Sequence, residues 1–119
     1  MNNRLRFRPH HRLRSGRDFD RVYGQKQRAS DDLLLIYMAK SDVPWSRVGF
    51  SVGRKHGNSV QRHRLRRLLR EAFRLSQHDL PAGWDFVLIP KQDVELAIGA
   101  LQASLNSLAM RIVRRAAKE

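Results

Sequence analysis

Hydrophobic residues recur along this chain at three distinct spacings, and each predicts an element. Wound as a helix at about 100° per residue, residues 59–75 place Leu65, Leu68, Leu69, Ala72 and Phe73 within one arc of roughly 140°. That arc is a face to bury, and the helix predicted there begins near Asn58 or Ser59. Ile98, Leu101, Leu105, Leu108 and Ile112 alternate steps of three and four, a core-facing stripe in a pattern that turns helical from Asp93. Gly99 is placed to break or delay its start. Phe19, Val22 and Tyr23 stand at i, i+3 and i+4, predicting a short helix that ends near Gly24. Ser15 as N-cap with Asp18 three residues on matches a capping box for its start.

Strand patterns fill the intervals. Leu33 to Ala39 is apolar nearly throughout, which suits a strand covered on both faces. From Arg47 to Gly53 the chain alternates, with Val48, Phe50 and Val52 to one side and Gly49, Ser51 and Gly53 to the other. The Gly and Ser side admits close approach of another backbone, so it either floors a cleft or accommodates a bulky neighbour. Asp85 to Ile89 reads as a further strand, stopped by Pro90. Loops are expected at 40–46, with Trp45 as a partly exposed packing residue, and at 76–83. Residues 1–14 have no sustained period and read as a basic flexible or extended arm on a single domain spanning 1–119.

Charge changes this picture from a generic small domain to a polyanion binder. The net charge is +13 and the pI about 11.6, an electrostatic footprint of nucleic-acid binding. Residues 1–28 carry nine Arg or Lys against two Asp, and residues 54–74 carry eight against one Glu. Near-neutral, strand-like segments separate the two blocks. Arg62, Arg66, Arg70 and Arg74 repeat every four residues on the predicted central helix, with His63 and Arg67 beside them. Like charges at i, i+4 repel by a few tenths of a kcal/mol per pair, about 0.3 each. Within the helix their internal relief is Glu71, one turn after Arg67. A solvated face would mix signs, so this density points to an anion that completes the surface, and a polyphosphate fits. Phe19 and Tyr23 are either plain core or, lying between basic blocks, a stacking platform for unpaired bases.

The chain has no cysteine, which excludes disulfides and Cys-ligated metals. No apolar run reaches the roughly 20 residues of a membrane span, and the basic N-terminus lacks the apolar core of a signal peptide. A soluble, cytoplasmic protein without a membrane partner is expected. His10, His11, His56, His63 and His78 form no metal-ligand pair on a predicted helix, so no protein metal site is expected. Asp18, Asp20, Asp31, Asp32 and Asp85 read as caps, turn residues or solvated charges. No nucleophile motif or phosphate-cradling Gly-rich loop is present, and no catalytic residue is assigned. Two readings remain at this level: an RNA-binding subunit of a ribonucleoprotein, and a DNA-binding or architectural protein. A protein nuclease is a distant third. Gly-containing contact strands with aromatics near basic patches suit single-stranded RNA better.

The stretch Arg54-Lys55-His56-Gly57-Asn58-Ser59-Val60-Gln61-Arg62-His63-Arg64, followed by the arginine-rich helix, resembles the signature of the bacterial ribonuclease P protein subunit. Asp18-Phe19 with Val22-Tyr23 is similar to that family's aromatic first helix, and Gly49-Phe50-Ser51-Val52 to its strand before the basic loop. The resemblance runs from about Leu13 to Arg115. It implies an α+β two-layer sandwich, a mixed sheet of about four strands packed with three helices. It also implies a left-handed βαβ crossover through 47–52, 59–75 and 85–90, against the usual right-handed rule.

Functionally, the resemblance implies a 1:1 partnership with a catalytic RNA that removes the 5′ leader of precursor tRNA. The Mg²⁺ ions would be held mainly by the RNA. It assigns Arg54, Lys55, Asn58, Arg62, His63, Arg64, Arg66, Arg67 and Arg70 to the catalytic RNA, and Phe19, Tyr23, Tyr37 and Ser51 to the leader. His63 departs from the family pattern, which has Asn there, and an imidazole cannot reproduce the two-donor geometry of an amide.

Overall fold

The computed structural model describes residues 7–118. Among them, four strands form one mixed sheet: β1 (Gln27–Ser30), β2 (Leu34–Lys40), β3 (Arg47–Phe50) and β4 (Trp84–Pro90). The spatial order is β1-β2-β4-β3. β1 and β4 each pair antiparallel with β2, and β3 pairs parallel with β4. Three α-helices complete the fold: α1 (Gly16–Gly24), α2 (Ser59–Ser76) and α3 (Ile98–Ala117). Because β3 and β4 are parallel neighbours, the chain must cross over between them, and α2 is that crossover.

The alternation of β2 and β4 divides the core in two. Leu34, Ile36 and Met38 with Phe86 and Leu88 face α2 and α3, where they meet Leu69, Phe73, Leu101, Leu105, Leu108 and Ile112. The predicted helical stripes are the buried faces of α2 and α3. The opposite face holds a smaller cluster of Leu13, Val22, Ala39 and Val87, packed by Phe19, Tyr23, Tyr37 and Ile89. The short helix α1 sits here, so β2 is covered on both sides as its apolar run required. Beyond α1 this face is open.

Several expectations are corrected. Residues 1–6 of the predicted flexible or extended arm lie outside the described residues; of 7–14, Phe7, His11 and Leu13 turn inward and the other five are exposed. Leu13 is buried, its N–H donates to Val48 O at 3.0 Å, and Arg12 bridges in parallel to Val48. Phe7 meets Phe73 edge-on at 6.2 Å. This segment covers the free edge of β3, a role that leaves no periodicity in the sequence. Strand β1 was not anticipated: of its four residues only Ala29 is buried. α3 begins at Ile98, five residues after Asp93, which adopts a positive φ of 56° that interrupts a helix. Asp85 is neither a cap nor a solvated charge. It is fully buried at the start of β4, and Arg47 clamps it with Nε–Oδ1 at 3.0 Å and Nη2–Oδ2 at 2.8 Å, while Arg21 of α1 pairs from the other side. Trp45, by contrast, is the partly exposed packing residue expected: 40% exposed, it packs edge-on to His10 and donates to His10 O at 3.0 Å.

Candidate nucleic-acid interface

The basic loop is shaped before the helix starts. Arg54–His56 form one 3₁₀ turn. His56 Nδ1 accepts from Gly53 N–H at 3.1 Å, which leaves Nε2–H to donate to Pro90 O at 2.8 Å. The ring thus pins the loop to the end of β4. Gly57 follows with φ 122°, and a Cβ there would overlap the Gln61 side chain, so the position needs glycine. Asn58 then caps α2: its Oδ1 accepts from Gln61 N–H at 2.9 Å, and Gln61 Oε1 accepts from Asn58 N–H at 2.8 Å. Asn58, assigned to RNA contact by the resemblance, has its amide oxygen committed to this cap.

The arginines of α2 divide by what already holds them. Arg66 reaches back to Val52 O at 2.9 Å. Arg74 takes Glu71, with Nε–Oε1 at 3.0 Å. The relief expected between Glu71 and Arg67 is therefore made with Arg74 instead, three residues on. This hydrogen bond, with burial opposing it and the charge of Arg74 adding to it, holds the Glu71 carboxyl below its ordinary value. Arg62 Nη2 touches Ser59 Oγ at 3.3 Å, while its buried Nε has no hydrogen-bond partner. Among the described residues no ion pair engages Arg54, Lys55, Arg64, Arg67 or Arg70.

Lys55, Arg64, Arg67 and Arg70 border three hollows around α2, and Arg54 lines none of them. Lys55 and Arg64 share one with Lys91, His56 and Gln61. His63, Arg64, Arg67 and Arg70 border another, toward Ile98 at the start of α3. Arg70 faces a third with Arg12 and Arg14 of the N-terminal segment. Arg12 and Arg14, far from α2 in sequence, thus join its arginines in one surface. Sequence reasoning missed Lys91, Arg12 and Arg14. A signal for Lys91 was available: parallel neighbours β3 and β4 bring their C-terminal ends together, so the segments after Phe50 and after Pro90 must share one wall.

The aromatic residues occupy a different surface. Phe19 of α1 lies on Gly49 of β3, so closely that a Cβ at Gly49 would fall 2.9 Å from two ring carbons and closer still to Cζ. Both roles proposed for the Gly and Ser side are thereby present at once: it receives a bulky neighbour and forms a floor. Tyr23 meets Tyr37 edge-on at 4.9 Å, and Phe19 and Tyr23 are 6.4 Å apart. Ser51 lies past the end of the β3 ladder, its N–H donating to Leu88 O at 2.9 Å, on the same side as Gly49. Phe19, Tyr23, Tyr37 and Ser51 are each half-buried, so they line the open part of the sheet face beside α1. Arg21 and Arg47, joined through Asp85, fix that helix against β3 and β4.

Among the described residues no three His, Asp or Glu side chains converge to hold a metal ion. No helix among them is long and apolar enough to cross a membrane.

Comparison with known proteins agrees with this fold. The family model for ribonuclease P matches residues 7–113. The "Ribonuclease P protein component" of Alkaliphilus oremlandii is 34% identical over 103 residues, covering 80% of this chain and 90% of that one. That of Finegoldia magna is 34% identical over 110 residues, covering 91% and 92%. Among solved structures, the RNase P protein from Thermotoga maritima superposes with a TM-score of 0.75 at 28% identity, over 84% of this chain and 96% of that one. The Staphylococcus aureus RNase P protein gives a TM-score of 0.73 at 25% identity, over 87% and 94%. The chain belongs to the ribonuclease P protein family, whose members serve the tRNA-processing ribonucleoprotein ribonuclease P.

Proposed function

We propose that this chain binds the catalytic RNA of ribonuclease P, one to one, through the basic surface around α2. It binds the 5′ leader of precursor tRNA through the aromatic cleft between α1 and the sheet. The observation that carries this reading is the separation of two chemistries. Unpaired arginines converge on one side, and half-buried aromatics with a glycine floor lie on a sheet face elsewhere. The first suits the phosphates of a folded RNA, where each neutralised phosphate releases counterions. The second suits unpaired bases, where stacking contributes about 1–3 kcal/mol per base.

The reaction supported is hydrolysis of a phosphodiester in precursor tRNA, leaving a 5′-phosphate on the mature tRNA. In this reading Mg²⁺ is held mainly by the RNA. The protein's own residues do two things. Arg62, Arg64, Arg67 and Arg70, with Arg54 and Lys55, lower the repulsion between two polyanions, ribozyme and substrate. Phe19, Tyr23, Tyr37 and Ser51 hold the leader so that the scissile bond is presented in register. The setting is the cytoplasm, where tRNA precursors are made.

The test is the double substitution Arg62→Ala with Arg64→Ala. Weaker binding of the catalytic RNA and a raised Mg²⁺ requirement for cleavage are expected. An unchanged Mg²⁺ dependence would sink the assignment of these arginines.

A further inference from the structure

The leader cleft has a far wall that neither the sequence pattern nor the resemblance assigns. The strand register places Arg28 of β1 opposite Tyr37, Tyr37 opposite Val87, and Val87 beside Gly49. These four residues form one row across the sheet, all on the α1 side. Arg28 Nη1 donates to Tyr37 Oη at 3.3 Å, which leaves the tyrosine O–H free to donate elsewhere. The Arg28 side chain is exposed, and among the described residues it makes no ion pair. Its own carbonyl accepts from Arg115 Nη2 of α3, and Ser30 O accepts from Arg111 Nη1 at 3.4 Å. Asp31, in the turn after β1, draws on Arg111 and offsets part of its charge. Arg115 has no such counterweight among the described ion pairs.

Capping an edge strand accounts for the contacts of Arg111 and Arg115 with free carbonyls. It does not account for Arg28, whose side chain lies on the cleft face and makes no contact with the edge. From β3 to β1 the row crosses three inter-strand steps of about 4.8 Å, roughly 14 Å in all. That is room for a single strand to continue past Tyr37. We infer that Arg28 binds a phosphate of the leader distal to the aromatic cleft, so that its contribution to affinity grows with leader length. This rests on the leader-cleft reading and extends it to the opposite edge of the sheet from α2.

The experiment uses the holoenzyme, the protein assembled with a bacterial ribonuclease P RNA. Binding is measured for mature tRNA and for precursors with leaders of about two and about ten nucleotides. Arg28→Ala is expected to bind the long-leader precursor about fivefold more weakly and the short-leader one within about twofold of the unsubstituted protein, while the slope of log affinity against log salt falls by about 0.7 for the long leader. Arg28→Lys, which keeps the charge, restores most of the loss. Equal behaviour of Arg28→Ala and the unsubstituted protein on the long leader overturns the inference, as does an equal loss at both lengths. Tyr23→Ala separates the two levels. If it weakens both precursors but not mature tRNA while Arg28→Ala changes nothing, the cleft stands and its extension falls. If neither variant distinguishes precursor from mature tRNA, the cleft reading itself fails.

Discussion

The ring of Phe19 occupies the space that a side chain on Gly49 would take. This one contact makes the aromatic cleft possible, because it lets α1 approach β3 closely enough to bring Tyr23 against Tyr37. Gly49→Ala is therefore expected to push Phe19 outward. Overpacking of this kind costs about 1–3 kcal/mol, read as a lower urea midpoint, and leader affinity should fall with it. A substituted protein of unchanged stability would mean that the ring yields freely.

Asp85 joins α1 to the parallel strands through Arg21 and Arg47. Burial by itself raises a carboxyl, but hydrogen bonds from Arg47 and then Arg21 outweigh it and hold Asp85 below its ordinary value. A depressed folded value stabilises the fold above the unfolded carboxylate range, near about 3.9, and this contribution is lost as pH falls through the folded value. Asp85→Asn leaves two guanidinium groups without their charge partner and is expected to cost about 3 kcal/mol at neutral pH. The variant should also flatten the acid limb of the stability profile. Urea unfolding of both proteins between neutral and acidic pH checks both effects.

His56 holds the basic loop in place through Gly53 and Pro90. His56→Ala removes two hydrogen bonds, each contributing about 1 kcal/mol. It is expected to weaken binding of the catalytic RNA several-fold, about 30-fold at most, with the salt slope unchanged, since no phosphate contact is lost. A reduced slope would show that His56 itself meets phosphate.

Tyr23 is a cleaner probe of the leader than Phe19, which belongs to the packing. Tyr23→Ala should cost about 1–2 kcal/mol for precursor tRNA and leave mature tRNA unaffected. Phe19→Ala should reproduce that selectivity only if α1 stays folded. Equal losses for both ligands would report unfolding, and circular dichroism separates the cases.

Long periodic elements were legible in the sequence, because a stripe such as Leu101, Leu105, Leu108 and Ile112 records burial on one side of a helix. The N-cap of α1 was legible too: Ser15 Oγ accepts from Asp18 N–H at 3.2 Å. The basic surface was legible as charge density but not as a shape, since Arg12 and Arg14 reach α2 only after residues 7–14 pack along β3. β1 escaped notice because four residues with one buried alanine carry no alternation above background. Asp85 was misread for a related reason. A carboxylate at a strand start looks like a turn residue until its partners, Arg21 and Arg47, are brought to it from 64 and 38 positions away.

The most direct test mixes the purified protein with a bacterial ribonuclease P RNA and 5′-labelled precursor tRNA at low Mg²⁺. Release of an intact leader only when protein and RNA are both present is predicted, with the protein lowering the Mg²⁺ needed. Cleavage by the protein alone, once contaminating nuclease is excluded, would contradict the account by revealing an active site in the chain. No cleavage, together with tight and steeply salt-dependent binding to duplex DNA, would contradict it from the other side.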